Sequence, residues 1–421
     1  MNKVNKKIFL VIVIALFLRL ISLNQSLWLD EAISANVVKN YSYTDILTKF
    51  SPSDFHPPLF YFTLKSWTYF FGFSEISLRL PSIIFSLITI YLVFHFFGFW
   101  PSLLLAFNPL YLYYSQEVRM YSLVTLLVFC AFLAFKSEKL LIYYLFTFLS
   151  LSTFYGSIFF FATISLYWLY KKNYKNFILY SLAPAFSLLI LSPLLWQQYQ
   201  ASKILLTSVQ NWSSVLGPAN FKNLFLILIK FTIGRISFYP KWLYYLIAIL
   251  VAIPLWLTLL IHSFNQRKTA FIFWLSFFIG FIFSLFTPMF QYFRFLYLIP
   301  FLCLILKKNY FYTFIFLFFS FIYLLNSNFH REDWQSLSRS LVNPVYVIES
   351  VADPIKYYRP DLKINDLKSI IATQSEITVI PYASEIHGLD YRQNLLSQNY
   401  QLVKETSFRE LKSEIWQKSI K

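Results

Sequence analysis

Carboxylates are scarce over most of this sequence and are concentrated near its beginning. The first 326 residues contain only seven acids, and five of these lie between residues 24 and 77. Asp30 and Glu31 are adjacent, so the pair has the groups needed for a general base or for holding a divalent cation such as Mg²⁺ or Mn²⁺. The structural alternative makes Asp30 the cap, and Glu31 the first turn, of an amphipathic helix over residues 32–50. The spacing alone favours this structural alternative.

A second polar string covers residues 54–59, where Asp54 and His56 precede two prolines. Prolines at this position start a helix, which would leave both polar side chains at its mouth. The alternative is a helix-initiating turn with a histidine at the surface. The five histidines of the chain are scattered, so the sequence does not predict a histidine metal cluster.

A third string covers residues 113–121 and combines tyrosines with Gln116, Glu117 and Arg119. It falls between two apolar runs, where such polar groups are costly unless they find partners. Arg119 has the geometry to bind a phosphate bidentately at the level of the lipid headgroups, and Arg294 has the same capacity. Both arginines also have a simpler explanation, because arginines at helix ends extend towards the interface.

The composition identifies the elements that must position these groups. The chain is 58% hydrophobic and contains 50 Phe and 31 Tyr among 421 residues, with a mean hydropathy of +0.56. A soluble core cannot bury this much apolar surface. Of the formal charge of +17, all comes from residues 1–326, which have 24 basic residues against seven acids, whereas residues 327–421 are balanced. The excess lies in short connections, so it indicates membrane topology and excludes nucleic acid as the partner.

Basic clusters near residues 3–7, 136–139, 171–175, 267–268 and 307–308 predict five cytoplasmic connections. The N-terminus is predicted to be an uncleaved first helix. If the apolar stretches 57–72 and 223–239 also crossed the membrane, the basic clusters could not all lie on the cytoplasmic side. Both stretches are therefore predicted to lie in the outer interface. The sequence then predicts eleven spans, near residues 8–23, 78–95, 99–114, 117–135, 140–154, 155–170, 177–196, 242–262, 270–287, 290–306 and 310–326.

Two domains are predicted, a helical membrane domain over residues 1–326 and a small extracytoplasmic α/β domain over residues 327–421. Charged residues become frequent after Asn326, and short β-like runs such as 345–348 and 377–380 alternate with helix-compatible segments. Cys130 and Cys303 fall in apolar stretches, so neither a disulfide framework nor a thiolate zinc site is expected. The predicted fold class is therefore an all-α polytopic membrane protein with a C-terminal α/β domain.

Several ordered strings resemble the GT-C glycosyltransferases, specifically the family 39 or protein O-mannosyltransferase-like branch, which includes the aminoarabinose transferases of lipid A. Residues 28–32 resemble the acidic motif of the first outer loop, 54–59 the His-Pro-Pro segment, and 114–121 the family string Tyr-Ser-Gln-Glu-Ala-Arg-Met-Tyr. Residues 79–82, Arg294, Pro300 and residues 331–334 resemble later elements of the pattern. Val118 replaces the usual alanine, and Gln335 replaces a common arginine.

The resemblance implies an inverting glycosyltransferase in the plasma membrane, acting on its outer face in the cell envelope. The implied donor is a polyprenyl-phosphate sugar, with a hexose such as mannose, and the implied acceptor is a lipid, a glycan or a protein. Asp30 is then the base, and Glu31 orients it or helps to hold a divalent cation; no cofactor is certain. The residues implied for binding the sugar and phosphate are Asp54, His56, Arg79, Gln116, Glu117, Arg119, Tyr121 and Arg294.

Other functions remain open at the level of sequence. A transporter or lipid flippase would place its acids in mid-span, whereas here they cluster in outer loops. A fold-retaining inactive protein and a wall-polymer ligase of another GT-C branch are further alternatives. Replacing Asp30 distinguishes an enzyme from an inactive protein of the same fold, because the substitution should leave the inactive protein unaffected.

Overall fold

The computed structural model describes residues 3–342, 344–370 and 374–419. The part before residue 326 is helical. Its α-helices are α1 Lys3–Leu20, α2 Leu29–Asn40, α3 Tyr43–Asp45, α4 Leu59–Phe71, α5 Glu75–Phe97, α6 Phe99–Phe107, α7 Pro109–Ser115, α8 Tyr121–Lys136, α9 Leu140–Leu151, α10 Ile158–Tyr170, α11 Tyr174–Ser208, α12 Trp212–Leu216, α13 Phe221–Ile233, α14 Lys241–Ser263, α15 Arg267–Phe286, α16 Ile299–Leu306 and α17 Tyr310–Leu325.

Four described helices, α5, α11, α14 and α15, are long and apolar enough to cross a membrane. Five shorter apolar helical segments accompany them, at Tyr121–Lys136, Leu140–Leu151, Tyr155–Tyr170, Tyr292–Leu306 and Tyr310–Leu325. These findings establish a mostly helical polytopic membrane protein. Each of the eleven predicted spans overlaps helical structure, and the number of crossings stays a prediction.

Local sequence explains where the observed helices depart from the predicted segments. The stretch 99–114 is divided at Asn108, whose side chain accepts a hydrogen bond from the Tyr111 backbone N–H at 2.9 Å while Pro109 occupies the first helical position. The amphipathic helix predicted over 32–50 starts earlier and ends at Asn40, followed by a short helix and a π-helical turn. Residues 116–120 form a turn, so α8 begins at Tyr121.

The basic connections gather at one end of the helical bundle. The Lys7 ammonium lies 5.8 Å from the Phe99 ring centroid, and Lys308 lies 5.8 Å from that of neighbouring Trp100. Lys136, the last residue of α8, lies at this end, which we call the basic end. Because α8 starts beside the turn 116–120 and has 16 residues, the opposite end, which we call the acidic end, is about 24 Å away. Which end faces the cytoplasm stays a prediction.

The tail contains a mixed five-stranded sheet, as the alternating runs predict. Its elements are α18 Trp334–Ser340, β1 Val345–Val347, α19 Asp353–Tyr358, β2 Ile364–Asp366, β3 Glu376–Ile380, α20 Tyr391–Ser397, β4 Tyr400–Phe408 and β5 Leu411–Lys418. The strand order is β2-β1-β3-β5-β4; β1 pairs in parallel with β2 and β3, and β5 is antiparallel to β3 and β4. Trp334 and apolar strand residues form a core separate from that of the bundle. The boundary at residue 327 stays a prediction.

The tail packs onto the loop 24–77 at the acidic end. The Tyr358 hydroxyl accepts a hydrogen bond from the Leu27 backbone N–H at 2.8 Å, and the Asn36 side-chain amide donates to the Asp353 carboxylate at 2.7 Å. The Gln335 backbone N–H donates to the Ser26 hydroxyl at 3.0 Å. The loop is therefore held between the bundle and the tail.

Candidate active site

Glu31 is fully buried and fully paired. Its carboxylate accepts hydrogen bonds from Arg79 Nε at 2.9 Å and Nη2 at 2.6 Å, and from the Val118 backbone N–H at 2.9 Å. Arg331 Nε lies 3.4 Å from the same carboxylate. Burial acts to raise the pKa of Glu31, but the charges of Arg79 and Arg331 outweigh it, and the pKa is lowered from its ordinary value. Glu31 therefore remains an ion held between two arginines.

Arg79, in the first turns of α5, uses its whole guanidinium inside the protein. Besides its two bonds to Glu31, Nη1 donates to the carbonyls of Leu23 at 2.7 Å and Gln25 at 2.6 Å, and Nη2 donates to the Ser26 carbonyl at 3.0 Å. A guanidinium has five N–H donors, and these five bonds account for all of them. The contacts favour a structural role that fixes the chain after α1, in place of the predicted phosphate contact.

Asp30 has a different environment from its neighbour in sequence. Its side chain is 35% exposed, and its nearest cation is Arg119, whose Nη2 lies 3.8 Å from Oδ2. The helix begins at Leu29, so Asp30 lies inside its first turn and is not the cap that the structural alternative required. Successive helical residues are rotated by about 100°, which directs Glu31 inwards and leaves Asp30 facing open space.

Arg119 is buried but loosely held. Its Nη1 lies 3.5 Å from the Tyr61 hydroxyl and its Nη2 lies 3.4 Å from His56 Nδ1, both long for hydrogen bonds. Among the described residues its Nε has no hydrogen-bond partner. The side chain is only 6% exposed. A buried guanidinium with unused donors is unusual. This arrangement suits an arginine whose bonding is completed by an anionic ligand.

The string at residues 54–59 lies against Arg119. The Tyr61 hydroxyl donates to Asp54 at 2.8 Å, and Asp54 lies 3.4 Å from His56 Nδ1. Burial acts to raise the pKa of Asp54, but His56, Arg119 and the Tyr61 hydrogen bond prevail, and the pKa is lowered. Gln198, from α11, donates to the His56 carbonyl at 3.1 Å and fixes this turn. Asp54 and His56 therefore lie beside Asp30 and Arg119.

Gln116 and Glu117 are both fully buried, but they differ in how many of their side-chain polar atoms form hydrogen bonds. Gln116 donates to the carbonyls of Arg19 at 2.9 Å and Ile21 at 2.8 Å, so its amide closes the end of α1. Glu117 Oε1 accepts a hydrogen bond from Trp28 Nε1 at 3.0 Å, whereas its Oε2 has no partner in the part of the chain that the structure describes. Burial raises the pKa of Glu117 to about 7, against the influence of Arg331. These contacts favour a structural role for Gln116, whereas Glu117 keeps one carboxylate oxygen that can bond to a ligand.

Tyr121 and Arg294 border the same region. The Tyr121 ring centroid lies 5.0 Å from that of Tyr114 and 5.6 Å from that of Phe293. Arg294 follows Phe293, and its Nη1 donates to the Leu216 carbonyl at 3.2 Å. The partly buried guanidinium keeps other donors for a ligand. Arg119 and Arg294 are both close enough to Tyr121 to interact with its hydroxyl electrostatically.

Arg235 is a further cation near the site, and it belongs to none of the motifs found in the sequence. Its Nη1 donates to the Tyr113 hydroxyl at 3.2 Å, and its guanidinium lies 5.0 Å from the Tyr113 ring centroid; Arg331 lies 4.5 Å from the same centroid. A small cavity of about 100 Å³ is lined by both arginines together with Trp28, Tyr113 and Glu332. A sequence signal could have identified it, because Arg235 lies in the apolar stretch 223–239, which is predicted to lie in the outer interface, and the positive-inside rule expects few basic residues on that side.

The described residues contain no group of three or more His, Cys, Asp or Glu side chains that could hold a metal ion. Glu31 does not fit the predicted role of cation ligand, because its oxygens are already bonded to Arg79 and to the Val118 N–H. Asp30 alone would be a weak site. The geometry thus assigns no step to a metal.

The fold and the site together define a polytopic membrane protein with a buried charged site at one end and a mixed-sheet tail domain over it.

No protein-family model and no curated protein matches the sequence. Solved structures match the fold, and among them are two of one protein. The crystal structure of ArnT from Cupriavidus metallidurans bound to undecaprenyl phosphate has a TM-score of 0.56 and 11% identity, covering 97% of each chain. The apo structure of the same protein has a TM-score of 0.58 and 10% identity, again covering 97% of each chain. At this identity the likeness establishes an ArnT-like fold, and the family 39 assignment stays a prediction.

Proposed function

We propose that this protein is a membrane glycosyltransferase that takes a sugar from a polyprenyl-phosphate donor at the acidic end. The observation that carries the proposal is the contrast between two neighbouring acid–arginine pairs. Glu31 and Arg79 are closed to any ligand, whereas Asp30 is open and Arg119 is buried with donors unused. Undecaprenyl phosphate bound to a protein of the same fold supports the donor class.

In the proposed reaction Asp30 is the general base. It takes the proton of the acceptor hydroxyl while that oxygen attacks the anomeric carbon of the donor sugar. The bond between the anomeric carbon and the phosphate oxygen breaks, its electron pair leaves with the polyprenyl phosphate, and the configuration at the anomeric carbon is inverted. No covalent intermediate forms, so one carboxylate is sufficient for the proton transfer.

Arg119 would bind the departing phosphate, because it is the cation nearest to Asp30. Its planar guanidinium matches two phosphate oxygens at once, and the surrounding burial strengthens the interaction. Arg294 and Arg235 extend the positive surface around Tyr121 and Tyr113 for the donor. The excess of cations over open carboxylates makes the site suitable for a phosphate.

Asp54, His56 and Glu117 would contact the sugar hydroxyls, since these polar groups lie close to Arg119 or retain bonding capacity. Glu31, Arg79 and Gln116 act as positioning residues beneath them. The donor sugar is proposed to be a hexose such as mannose, and the acceptor a lipid, glycan or protein on the outer face.

The test is transfer from radiolabelled polyprenyl-phosphate hexoses in membranes that contain the wild type, Asp30→Asn or Asp45→Asn. Asp45 is the matched control, because it lies in the same loop and pairs with Lys49 at 2.6 Å. We expect transfer by the wild type and Asp45→Asn and a loss of roughly 100-fold or more in Asp30→Asn. Equal transfer by folded Asp30→Asn would remove Asp30 as the base. Absence of transfer from every donor would favour the transporter or the inactive protein.

A further inference from the structure

Two adjoining cavities lie at the basic end, far from the candidate active site. The larger has a volume of about 1170 Å³ and the smaller about 560 Å³. Lys268, in the first turn of α15, lines both cavities. The proposed transfer reaction uses neither cavity.

Six cationic side chains line these two cavities. The smaller cavity is lined by Lys136, Lys268, Lys307 and Lys308. The larger cavity is lined by Lys171, Arg267 and the shared Lys268. Within the described part of the chain, none of these six side chains makes an ion pair or a side-chain hydrogen bond. Glu138 is close enough to influence Lys268, but it is exposed and not in ion-pair contact.

Aromatic rings hold two of these ammonium groups at the cavity walls. Lys268 Nζ lies 4.1 Å from the Phe135 ring centroid, and Lys136 Nζ lies 4.4 Å from the Phe97 ring centroid. Such contacts stabilise a cation but do not neutralise its charge. Charge complementarity therefore calls for an anion at this position.

The larger cavity continues away from the cations as an apolar groove along α15. Its wall follows one face of this helix from Arg267 to Phe281, through Phe271, Trp274, Leu275 and Phe278. A separation of 14 residues in a helix corresponds to about 21 Å. This is somewhat longer than the hydrocarbon of one leaflet, about 15 Å. A free phosphate would occupy only the basic end, whereas the length of the groove matches an acyl chain.

We propose that this groove binds a phospholipid with a net negative head group, taken from the leaflet at the basic end. The phosphate lies among Lys136, Lys268 and Lys308, and one acyl chain follows α15. Basic residues at this end also serve topology, but topology requires positive connections and not unpaired amines that converge on one cavity. The site is separate from the polyprenyl-phosphate site because the two lie at opposite ends of the bundle.

The test uses native mass spectrometry of the full-length protein in mild detergent with equimolar phosphatidylglycerol and phosphatidylcholine of identical chains. The test variant is Lys136→Gln/Lys268→Gln/Lys308→Gln. The matched control is Lys139→Gln/Lys172→Gln/Lys175→Gln, which removes the same charge from the same end without changing a residue that lines either cavity. For three lysines we expect about 100-fold weaker phosphatidylglycerol binding in the test variant. The control variant is expected to bind like the wild type.

Two further measurements keep the test decisive if the triple variant does not fold. Lys136→Arg/Lys268→Arg/Lys308→Arg keeps the charges and should keep the lipid, and Leu275→Trp should weaken binding by filling the groove. Equal binding of the two lipids by the wild type would overturn the proposal. So would equal phosphatidylglycerol binding by the test and control variants, or displacement of phosphatidylglycerol from this groove by undecaprenyl phosphate.

Discussion

Replacing Arg79 with methionine tests whether the buried pair with Glu31 positions the site or binds the donor. Methionine has a similar length and no charge. The substitution removes both charge-assisted bonds to Glu31 and leaves the carbonyls of Leu23, Gln25 and Ser26 without their donor. Arg331, at 3.4 Å from the Glu31 carboxylate, compensates only partly.

Removing one member of a buried ion pair costs about 3–5 kcal/mol, because the other charge is left without a partner. We expect Arg79→Met to lose stability of this order. Adding Glu31→Gln should restore part of it, with a coupling of about 1–3 kcal/mol between the two positions. Chemical denaturation of the purified protein in detergent, followed by far-ultraviolet circular dichroism, measures both quantities.

The same variants are then tested for binding of undecaprenyl phosphate, using only the folded fraction. A positioning role predicts that the loss of stability accompanies any loss of binding, and that the double variant recovers both in part. If Arg79→Met instead keeps the stability of the wild type and loses binding, Arg79 contacts the phosphate and does not act as a positioning residue.

Three other outcomes follow from the site and the topology. Arg119→Lys keeps the charge but loses bidentate geometry, so polyprenyl-phosphate binding should weaken by roughly tenfold or more in a titration, while unfolding is little changed. Since the buried Glu117 has its pKa raised to about 7, the folded state binds its proton more tightly than the unfolded state. The wild type should therefore lose up to about 3 kcal/mol of stability relative to Glu117→Gln as the pH rises from about 4.5 to above 7, and a pH-independent difference would contradict this. In intact cells, Lys404→Cys in the tail should react with a membrane-impermeant maleimide and Lys172→Cys at the basic end should not, whereas the reverse pattern would invert the proposed orientation.

The sequence was sufficient to predict the helical bundle, because hydropathy and basic connections follow from the membrane itself. The sequence was less informative about where the helices are interrupted. The break at Asn108 has a local cause, an asparagine cap before Pro109, but averaging hydropathy over a window conceals it. The mixed sheet of the tail was predicted as a class only, since strand order depends on contacts between distant segments.

For the site as for the fold, local sequence predicts which residues are present, whereas contacts with distant segments decide their roles. Asp30 and Glu31 are equivalent in a sequence window, and only the helix start at Leu29 and the distant partners Arg79 and Arg331 separate their roles. The departure at Val118 has little consequence, because that residue serves Glu31 through its backbone N–H. Gln335, the other departure, lies in the contact between the tail and the loop 24–77.

The binding of the donor phosphate by Arg119 is tested directly by an electron cryomicroscopy structure of the protein with undecaprenyl phosphate. We expect phosphate density within hydrogen-bonding distance of the Arg119 guanidinium, next to an Asp30 carboxylate that remains open to an acceptor. Phosphate density at the basic end, or away from Arg119 with Asp30 closed off from the ligand, would rule out Arg119 as the phosphate ligand of the donor.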